Sequence, residues 1–277
     1  MASQQLEDPK KVFVITGAAG GLGWAITDCL ASKFTAELAL VDIETNALRH
    51  RQMQLKARGI KARIFVADLS NSEAVERLVG SLSKQYLRVD LLVNNAGITH
   101  RSLSTQTSSV VIRKVMAVNY HAPVELAQGL FAELKAASGC VVNICSMAGW
   151  MPVLGRAGYC AAKSALHQYF ETFREEVRQD GVRVLMVYPN FLATTIEQNA
   201  LAGDGRKAKH QRSTVGAVRS PEWMAVKIVV ALEQGRERWF PKDLSLIGAL
   251  LYRLAPTIFL RQMVKNFQLE LGSTRQQ

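Results

Sequence analysis

Two kinds of apolar pattern alternate along this chain. Short unbroken runs rich in valine, isoleucine and leucine recur from Val12 to Thr16, Leu38 to Asp42, Ala62 to Ala67, Leu91 to Asn94, Cys140 to Cys145 and Val182 to Tyr188. Unbroken rather than alternating hydrophobicity predicts strands covered on both faces, as in a parallel sheet between helical layers. Between these runs apolar residues return every three or four positions, for example in Ser72-Glu73-Ala74-Val75-Glu76-Arg77-Leu78-Val79, which predicts amphipathic helices. Repeated β-α units with short links cross over right-handedly, and the expected fold class is α/β with a doubly wound parallel sheet. Ligands of such sheets bind at the carboxyl ends of the strands, so the residues just past each run are where chemistry is sought.

At 277 residues and 48% apolar the chain can bury the core of one large α/β domain. No apolar stretch reaches membrane-spanning length without interruption, and the opening MASQQLEDPKK lacks an apolar signal core, so an intracellular, cytoplasmic protein is expected. Four cysteines, Cys29, Cys140, Cys145 and Cys160, show no CxxC spacing and no neighbouring histidine clusters, which points to neither a metal site nor a disulfide framework. The net charge is +11, and from Leu201 onward 13 lysines and arginines face only 6 acidic residues. A basic face can draw anionic lipid or an acidic ligand, though it serves most simply to keep a protein soluble. Nucleic acid is not an expected partner, because the run Arg206 to Arg212 has no interleaved aromatics.

Immediately after the first run stands Thr16-Gly17-Ala18-Ala19-Gly20-Gly21-Leu22-Gly23, followed by a helical pattern. Glycines between a strand and a helix let the backbone approach a pyrophosphate, while the helix offers unpaired N–H groups and a positive dipole end. Nineteen residues past Gly23, Asp42 closes the second run. A carboxylate there accepts from ribose hydroxyls and repels a 2′-phosphate, and with no Arg or Lys in the turn NAD is expected over NADP. Asp42 is also placed to cap the next helix, which is compatible with binding. Further on, Tyr159 and Lys163 lie four apart on one helical face. An ammonium one turn from a phenol stabilises phenolate and brings a poor base toward working range.

With Thr16-Gly-x-x-x-Gly21-x-Gly23, Asn94-Asn95-Ala96-Gly97, Ser146 and Tyr159-x-x-x-Lys163 in this order, the chain resembles the short-chain dehydrogenase/reductase family over about 175 residues. The resemblance implies a Rossmann-like single domain, a nicotinamide cofactor, and oxidation of a hydroxyl or reduction of a carbonyl. It implies a catalytic set of Ser146, Tyr159, Lys163 and Asn119: Tyr159 exchanges the proton, Lys163 lowers the phenol's pKa and binds the nicotinamide ribose, Ser146 donates to the developing alkoxide, and Asn119 holds a water joining Lys163 to solvent. It implies cofactor contacts at Gly17, Gly21, Leu22, Gly23, Asp42, Asp68, Leu69, Asn95, Ala96, Gly97, Pro189 and Thr194, with Asp68 toward the adenine. One departure stands out: where the family has Pro-Gly after the sixth strand, this chain reads Pro189-Asn190. Asparagine tolerates the left-handed backbone, but its carboxamide fills space near the nicotinamide.

Placement just past strand ends assigns Ile98, Met147, Trp150, Met151, Leu154, Phe191 and Leu192 to the substrate pocket. Their character favours an aliphatic, aromatic, terpenoid, retinoid or steroid alcohol or ketone over a sugar. Cys145 and Cys160 flank Ser146 and Tyr159, and read more readily as small packed residues than as redox controls. The expected organisation is a polar tail over 1–10, a catalytic domain over 11–242 with a mobile helical lid at about 190–220, and an apolar, basic extension over 243–277. The extension is broken by Arg253 and Pro256 and is too short to span a bilayer. It is expected to pack on this protein or on the second copy in a homodimer; peripheral membrane contact through 244–265 is the alternative. Two other functions compete with the dehydrogenase: a dinucleotide-sensing regulator without chemistry, and a membrane-docked enzyme of lipid metabolism.

Overall fold

Neighbouring residues of every central strand go to opposite cores. The computed structural model describes residues 10–194, 196–209 and 217–275, with 268–275 described by backbone only. Seven parallel strands, β1 Lys11–Thr16, β2 Ala36–Asp42, β3 Ala62–Val66, β4 Leu91–Asn94, β5 Cys140–Ile144, β6 Arg183–Val187 and β7 Arg238–Trp239, form one sheet in the order 3-2-1-4-5-6-7. Val12, Val14, Val41, Leu92, Val141 and Met186 point into one apolar layer, and Phe13, Ile15, Leu40, Val93, Val142 and Leu185 into the other. That period of two, with both faces apolar, is why the strands read as unbroken runs.

Helices α1 Gly21–Lys33 and α2 Thr45–Ala57 cover the second layer, and α3 Ser72–Gln85 covers the first. Helix α4 Ser109–Met116 continues through a π turn, Ala117–His121, into α5 Ala122–Gly129, and α6 Phe131–Ala136 follows. The long α7 Ala157–Glu176 buries Leu166, Phe170 and Phe173 in the first layer, whereas α8 Pro221–Glu233 buries Met224, Ile228 and Val229 in the second. Side-chain caps from Asn71, Ser108 and Ser220 start α3, α4 and α8.

Six strands fall where the apolar runs place them, with ends shifted by one or two residues. The seventh, β7, has only two residues and no periodicity to read; Met186 N–H to Glu237 O at 2.9 Å and Tyr188 N–H to Trp239 O at 3.0 Å hold it beside β6. The expected helical lid is not what the described residues of 190–220 form. They make turns and isolated bridges: Arg101 N–H donates to Leu201 O at 2.8 Å, Leu201 N–H to Thr99 O at 2.9 Å, and Ser108 N–H to Gly203 O at 2.9 Å. The segment is therefore tied to 99–108 by its backbone, and residues 195 and 210–216 of the expected lid lie outside the described residues.

The extension folds as α9 Leu244–Leu254 and α10 Pro256–Arg275. Pro256 occupies the first position of α10, where its missing N–H costs nothing, and the bend falls at Ala255. Phe259, Met263 and Phe267 are buried against Met151, Val153, Leu154 and Tyr252. No described helix is long and apolar enough to cross a membrane.

Among the described glycines the tightest approach is at Gly23, where an added Cβ would lie 1.9 Å from the Gly17 carbonyl oxygen and 2.6 Å from Asn95 Nδ2. Neither atom can retreat, because both belong to the turn that joins β1 to α1 and to the strand end beside it. Gly23→Ala is expected to destabilise the cofactor-free protein by about 3 kcal/mol, as overpacked interiors do. Gly20→Ala, where nothing lies within 4 Å of an added Cβ, should change stability by less than about 1 kcal/mol. Thermal denaturation of the two variants side by side checks the contrast.

Candidate active site

Three strand ends are stitched together where the sheet order reverses between β1 and β4. The Thr16 hydroxyl donates to Val93 O at 3.2 Å and accepts from Asn95 N–H and Ala96 N–H, each at 3.0 Å. Asn95 Nδ2 donates back to Thr16 O at 2.9 Å, and Asn94 Nδ2 donates to Asn143 Oδ1 on β5 at 2.9 Å. Above these ends opens a cavity of about 850 Å³.

Its polar end is the glycine turn. Gly17 and Gly21 have φ of +67° and +53°, a backbone that side chains resist. Helix α1 begins without a side-chain cap at Gly20, and Gly20, Gly21 and Leu22 line the cavity, so its first N–H groups await an acceptor. An uncapped helix start in a groove shaped by glycine fits a pyrophosphate. Gly23 does not line the cavity; it permits the close approach beneath the turn. The Asp42 carboxylate sits at the rim and accepts from the N–H groups of Ala19, Ile43 and Glu44 at 2.9, 2.8 and 3.2 Å. Asp68 accepts from the Ser70 hydroxyl and N–H at 2.7 and 2.9 Å, and these bonds hold its pKa below the ordinary carboxylate value. Leu69, Ala96, Gly97, Pro189 and Thr194 complete this wall. Sequence spacing found no cation near the turn, but the fold brings one from α2: Arg51 Nε donates to Ala19 O at 3.1 Å and its guanidinium lies 4.4 Å from the Trp24 ring centroid.

At the other end Ser146, extended at the end of β5, accepts from Ala148 N–H at 3.1 Å and lines the cavity together with Tyr159. Lys163 is buried, lies 5.9 Å from the Tyr159 ring centroid, and donates to Ile144 O at 2.8 Å. Burial pushes the Tyr159 phenol above its ordinary pKa, with the neighbouring Ser146 hydroxyl opposing, and pushes Lys163 down to about 8. The expectation that the ammonium brings the phenol down is not met in the cofactor-free protein. Desolvation outweighs it, and Lys163 loses its proton before Tyr159 does. At neutral pH both groups carry their protons.

Asn119 lies in the π turn and does not line the cavity. Its Nδ2 donates to Ile98 O at 2.8 Å and Val115 O at 2.9 Å, and its Oδ1 accepts from Ile98 N–H at 3.2 Å. Both amide hydrogens are spent on the chain, so the side chain has no donor left for the expected water; it clamps Ile98 against the cavity. Of the expected substrate residues, Ile98, Met147, Met151, Phe191 and Leu192 line the cavity. Trp150 does not: its indole turns away and packs on Phe240, His167 and Tyr188 at centroid distances of 4.8, 5.5 and 5.8 Å. Leu154 also stands back, packed on the cluster of Phe259, Met263 and Phe267. Asn190 lines the cavity, as its departure from the family pattern implies.

Sequence reasoning missed two contributions. The extension supplies cavity wall from Ile247, Leu251, Phe259, Met263 and Phe267; the recurrence of Phe259, Met263 and Phe267 every four residues is the signal that marks an inward stripe. The second is His100, fully buried behind α7, with Nε2 accepting from Gly158 N–H at 3.0 Å. Its tautomer follows from the chain behind it. Thr107 Oγ1 donates to Leu103 O at 2.7 Å, so it accepts from Ser102 Oγ at 2.7 Å, which in turn accepts from His100 Nδ1 at 3.1 Å. His100 thus caps the helix that carries Tyr159, and burial pushes its pKa down to about 4. The cysteines beside the site are packed in. Burial raises both thiols, Cys145 to about 11, and Cys145 Sγ donates to Lys163 O at 3.3 Å while Cys160 Sγ accepts from Val153 N–H at 3.3 Å.

Comparison with known proteins agrees with this geometry. A family model described as short chain dehydrogenase matches residues 11–204. The chain is 31% identical over 270 residues to the dehydrogenase/reductase SDR family member 7B of Bos taurus, covering 95% of this chain and 83% of that one. Among solved structures it is similar to a metagenomic short-chain oxidoreductase in complex with NADP, at 28% identity and a TM-score of 0.67 over 83% of this chain and 96% of the other. It is also similar to 4-hydroxyisoleucine dehydrogenase complexed with NADH, at 26% identity and a TM-score of 0.69 over 83% and 95%.

The buried cap has a pH signature. His100 titrates at about 4 in the folded protein and at 6.5 when exposed, so only the unfolded chain gains its proton between these values. Its contribution to stability is full above about pH 6.5 and falls by about 3 kcal/mol as pH drops to about 4. His100→Gln keeps an acceptor for Gly158 N–H without a titrating group, and should lose correspondingly less stability over that window. His100→Ala should be less stable than either at pH 7.5. Urea unfolding of the three proteins from pH 7.5 to 4 measures the difference.

Proposed function

Since the chain belongs to the short-chain dehydrogenase family of nicotinamide-dependent oxidoreductases, we propose that it transfers a hydride between NAD(H) and a hydrophobic secondary alcohol or ketone, through Ser146, Tyr159 and Lys163. The observation that carries this reading is the convergence of Ser146, Tyr159 and a buried Lys163 on the wall of one cavity whose other end is the uncapped glycine turn. When bound, the nicotinamide supplies or takes up the hydride.

The protein's part is proton transfer and exclusion of water. Burial keeps the Tyr159 phenol above its ordinary pKa, so in the cofactor-free site it holds a proton that it can donate to a carbonyl oxygen. Ser146 accepts from Ala148 N–H, which leaves its own hydrogen for the substrate oxygen, where negative charge develops. Lys163 lies one turn beyond Tyr159 and is replenished with protons in the range near pH 8. Met147, Met151, Phe191 and Leu192, with Phe259 and Met263 from α10, give this end of the cavity a largely apolar wall, interspersed with polar positions such as Asn190, Gln262 and Asn266. These walls support a lipophilic alcohol or ketone of aliphatic, aromatic, terpenoid, retinoid or steroid type.

For the cofactor, the Asp42 carboxylate at the rim supports NAD, since it repels a 2′-phosphate. The guanidinium of Arg51 nearby donates to Ala19 O and to Gln54 Oε1 at 2.9 Å and packs on the Trp24 ring, but it keeps further N–H donors and is a charge that opposes this choice.

Tyr159→Phe should lower kcat for a hydrophobic ketone by about 10²- to 10⁴-fold, while NADH binding, followed by fluorescence titration, stays within about threefold. Retained turnover would remove Tyr159 from the mechanism. With the same ketone, NADH should be used at least about tenfold more efficiently than NADPH, a difference of about 1.4 kcal/mol, and Asp42→Ala should narrow the gap. A preference for NADPH in the unaltered protein contradicts the electrostatic reading of Asp42.

A further inference from the structure

The α9–α10 hairpin has two faces of different character. Its inner face is spent on the protein: Ala249, Phe259, Met263 and Phe267 are buried, and the last three wall the cavity. Its outer face leaves large apolar side chains in solvent, with Leu254 86% exposed, Ile258 63% and Leu250 49%. Between Leu244 and Phe267 the only charged residues are Arg253, Arg261 and Lys265. On α10, Ile258, Arg261 and Lys265 share one helical row, so two cations continue the apolar strip there, while Arg253 on α9 packs over the Trp150 ring at 5.4 Å.

Contiguous exposed apolar surface rimmed by charge marks an interaction site. A second copy docked about a two-fold axis would set this face against itself and bring its cations toward their own symmetry mates, a juxtaposition that costs affinity. An anionic bilayer meets both demands at once, with apolar side chains entering the acyl boundary and Arg and Lys reaching headgroups. Neither helix can span, so both would lie in the plane of the interface.

We propose that the outer face of the α9–α10 hairpin docks on an anionic phospholipid surface, and that the substrate cavity takes its lipophilic substrate from that surface. The second half rests on the hydrophobic-substrate reading given above; the first does not. Continuity carries the link: Leu244 and Ile247 are 66% and 62% exposed, yet both also line the cavity. One helix is therefore at once the docking surface and the wall of the site, so a bilayer beneath it lies at the cavity's apolar mouth.

The test uses the full chain with vesicles of phosphatidylcholine alone or with about one-third phosphatidylserine. Co-sedimentation with the anionic vesicles should exceed that with neutral ones by at least about tenfold at moderate salt. L254E/I258E and R261E/K265E, which alter neither the cavity wall nor the catalytic set, should each lose about tenfold of that binding, with melting temperature unchanged. A protein that stays in the supernatant overturns the proposal, as does binding that L254E/I258E leaves intact. So does a dimer in sedimentation velocity that L254E/I258E dissociates, since a second copy would then be the occupant. The route is read separately: L254E/I258E should lower kcat/KM at least about fivefold for a long-chain methyl ketone carried in the vesicles and leave a short water-soluble ketone unaffected. Loss of binding with both ketones unaffected overturns the route. Vesicle binding without turnover of either ketone by the unaltered protein would count against the functional reading alone.

Discussion

A buried ammonium must be answered by an acceptor, and in this protein the acceptor is the last carbonyl of a strand. Lys163 donates to Ile144 O at 2.8 Å from a site almost closed to solvent. Burial alone already draws its pKa down to about 8, so without that carbonyl the charge would be unsupported. The bond fixes both the height and the rotation of α7 on β5. Gly149 allows the fit, since a Cβ there would lie 2.9 Å from Lys163 O and 3.0 Å from Cys145 Sγ. Tyr159, one helical turn earlier, then has a single place to stand, and it is beside Ser146. The placing of Tyr159 beside Ser146 is thus a by-product of satisfying one charge.

The remainder of the site is held by unrelated devices that converge on the same strand ends. At the cofactor end, missing side chains matter most: Gly23 lets the turn close on itself, and the uncapped start of α1 leaves N–H groups for a ligand. At the substrate end polar side chains are spent on the backbone. Asn119 clamps Ile98, and His100 caps α7 through a polarity that runs unbroken from Leu103 O to Gly158 N–H. These groups never face the substrate, yet each sets the position of one that does.

Much of the fold was legible because a parallel sheet writes itself as unbroken apolar runs, and six strands stand where those runs stand. Strand β7 was not, since two residues carry no period and its place is set by backbone bonds to β6. The glycine turn, Asp42, Ser146, Tyr159 and Lys163 were legible as types at spacings. Direction was harder to read. Trp150 follows a strand end as Met147 and Met151 do, but its indole finds Phe240 and Tyr188 on the far side. The charge- and glycine-rich stretch after Thr194 suggested a loose lid, whereas bonds from Leu201 and Gly203 to the 99–108 segment tether it. His100 could not have been found from spacing, because its partner lies 58 positions away and only the fold brings them together.

The π turn at 117–121 also constrains how this chain can change length. Ala122 N–H reaches back to Ala117 O, one residue farther than an α-helix allows, so the stretch from Ser109 to Gly129 holds one residue more than a regular helix of its span. Removing one residue from 117–121 would restore regular winding and leave the helix beyond it in phase, because the bulge is where the extra residue is absorbed. Asn119 would lose the turn that aims its carboxamide at Ile98, whereas Leu126 would keep its place in the core it shares with β4 and β5. The bulge is thus the point where this helix can absorb a change of length, and the cost of that change falls on the Asn119 clamp rather than on the core behind it.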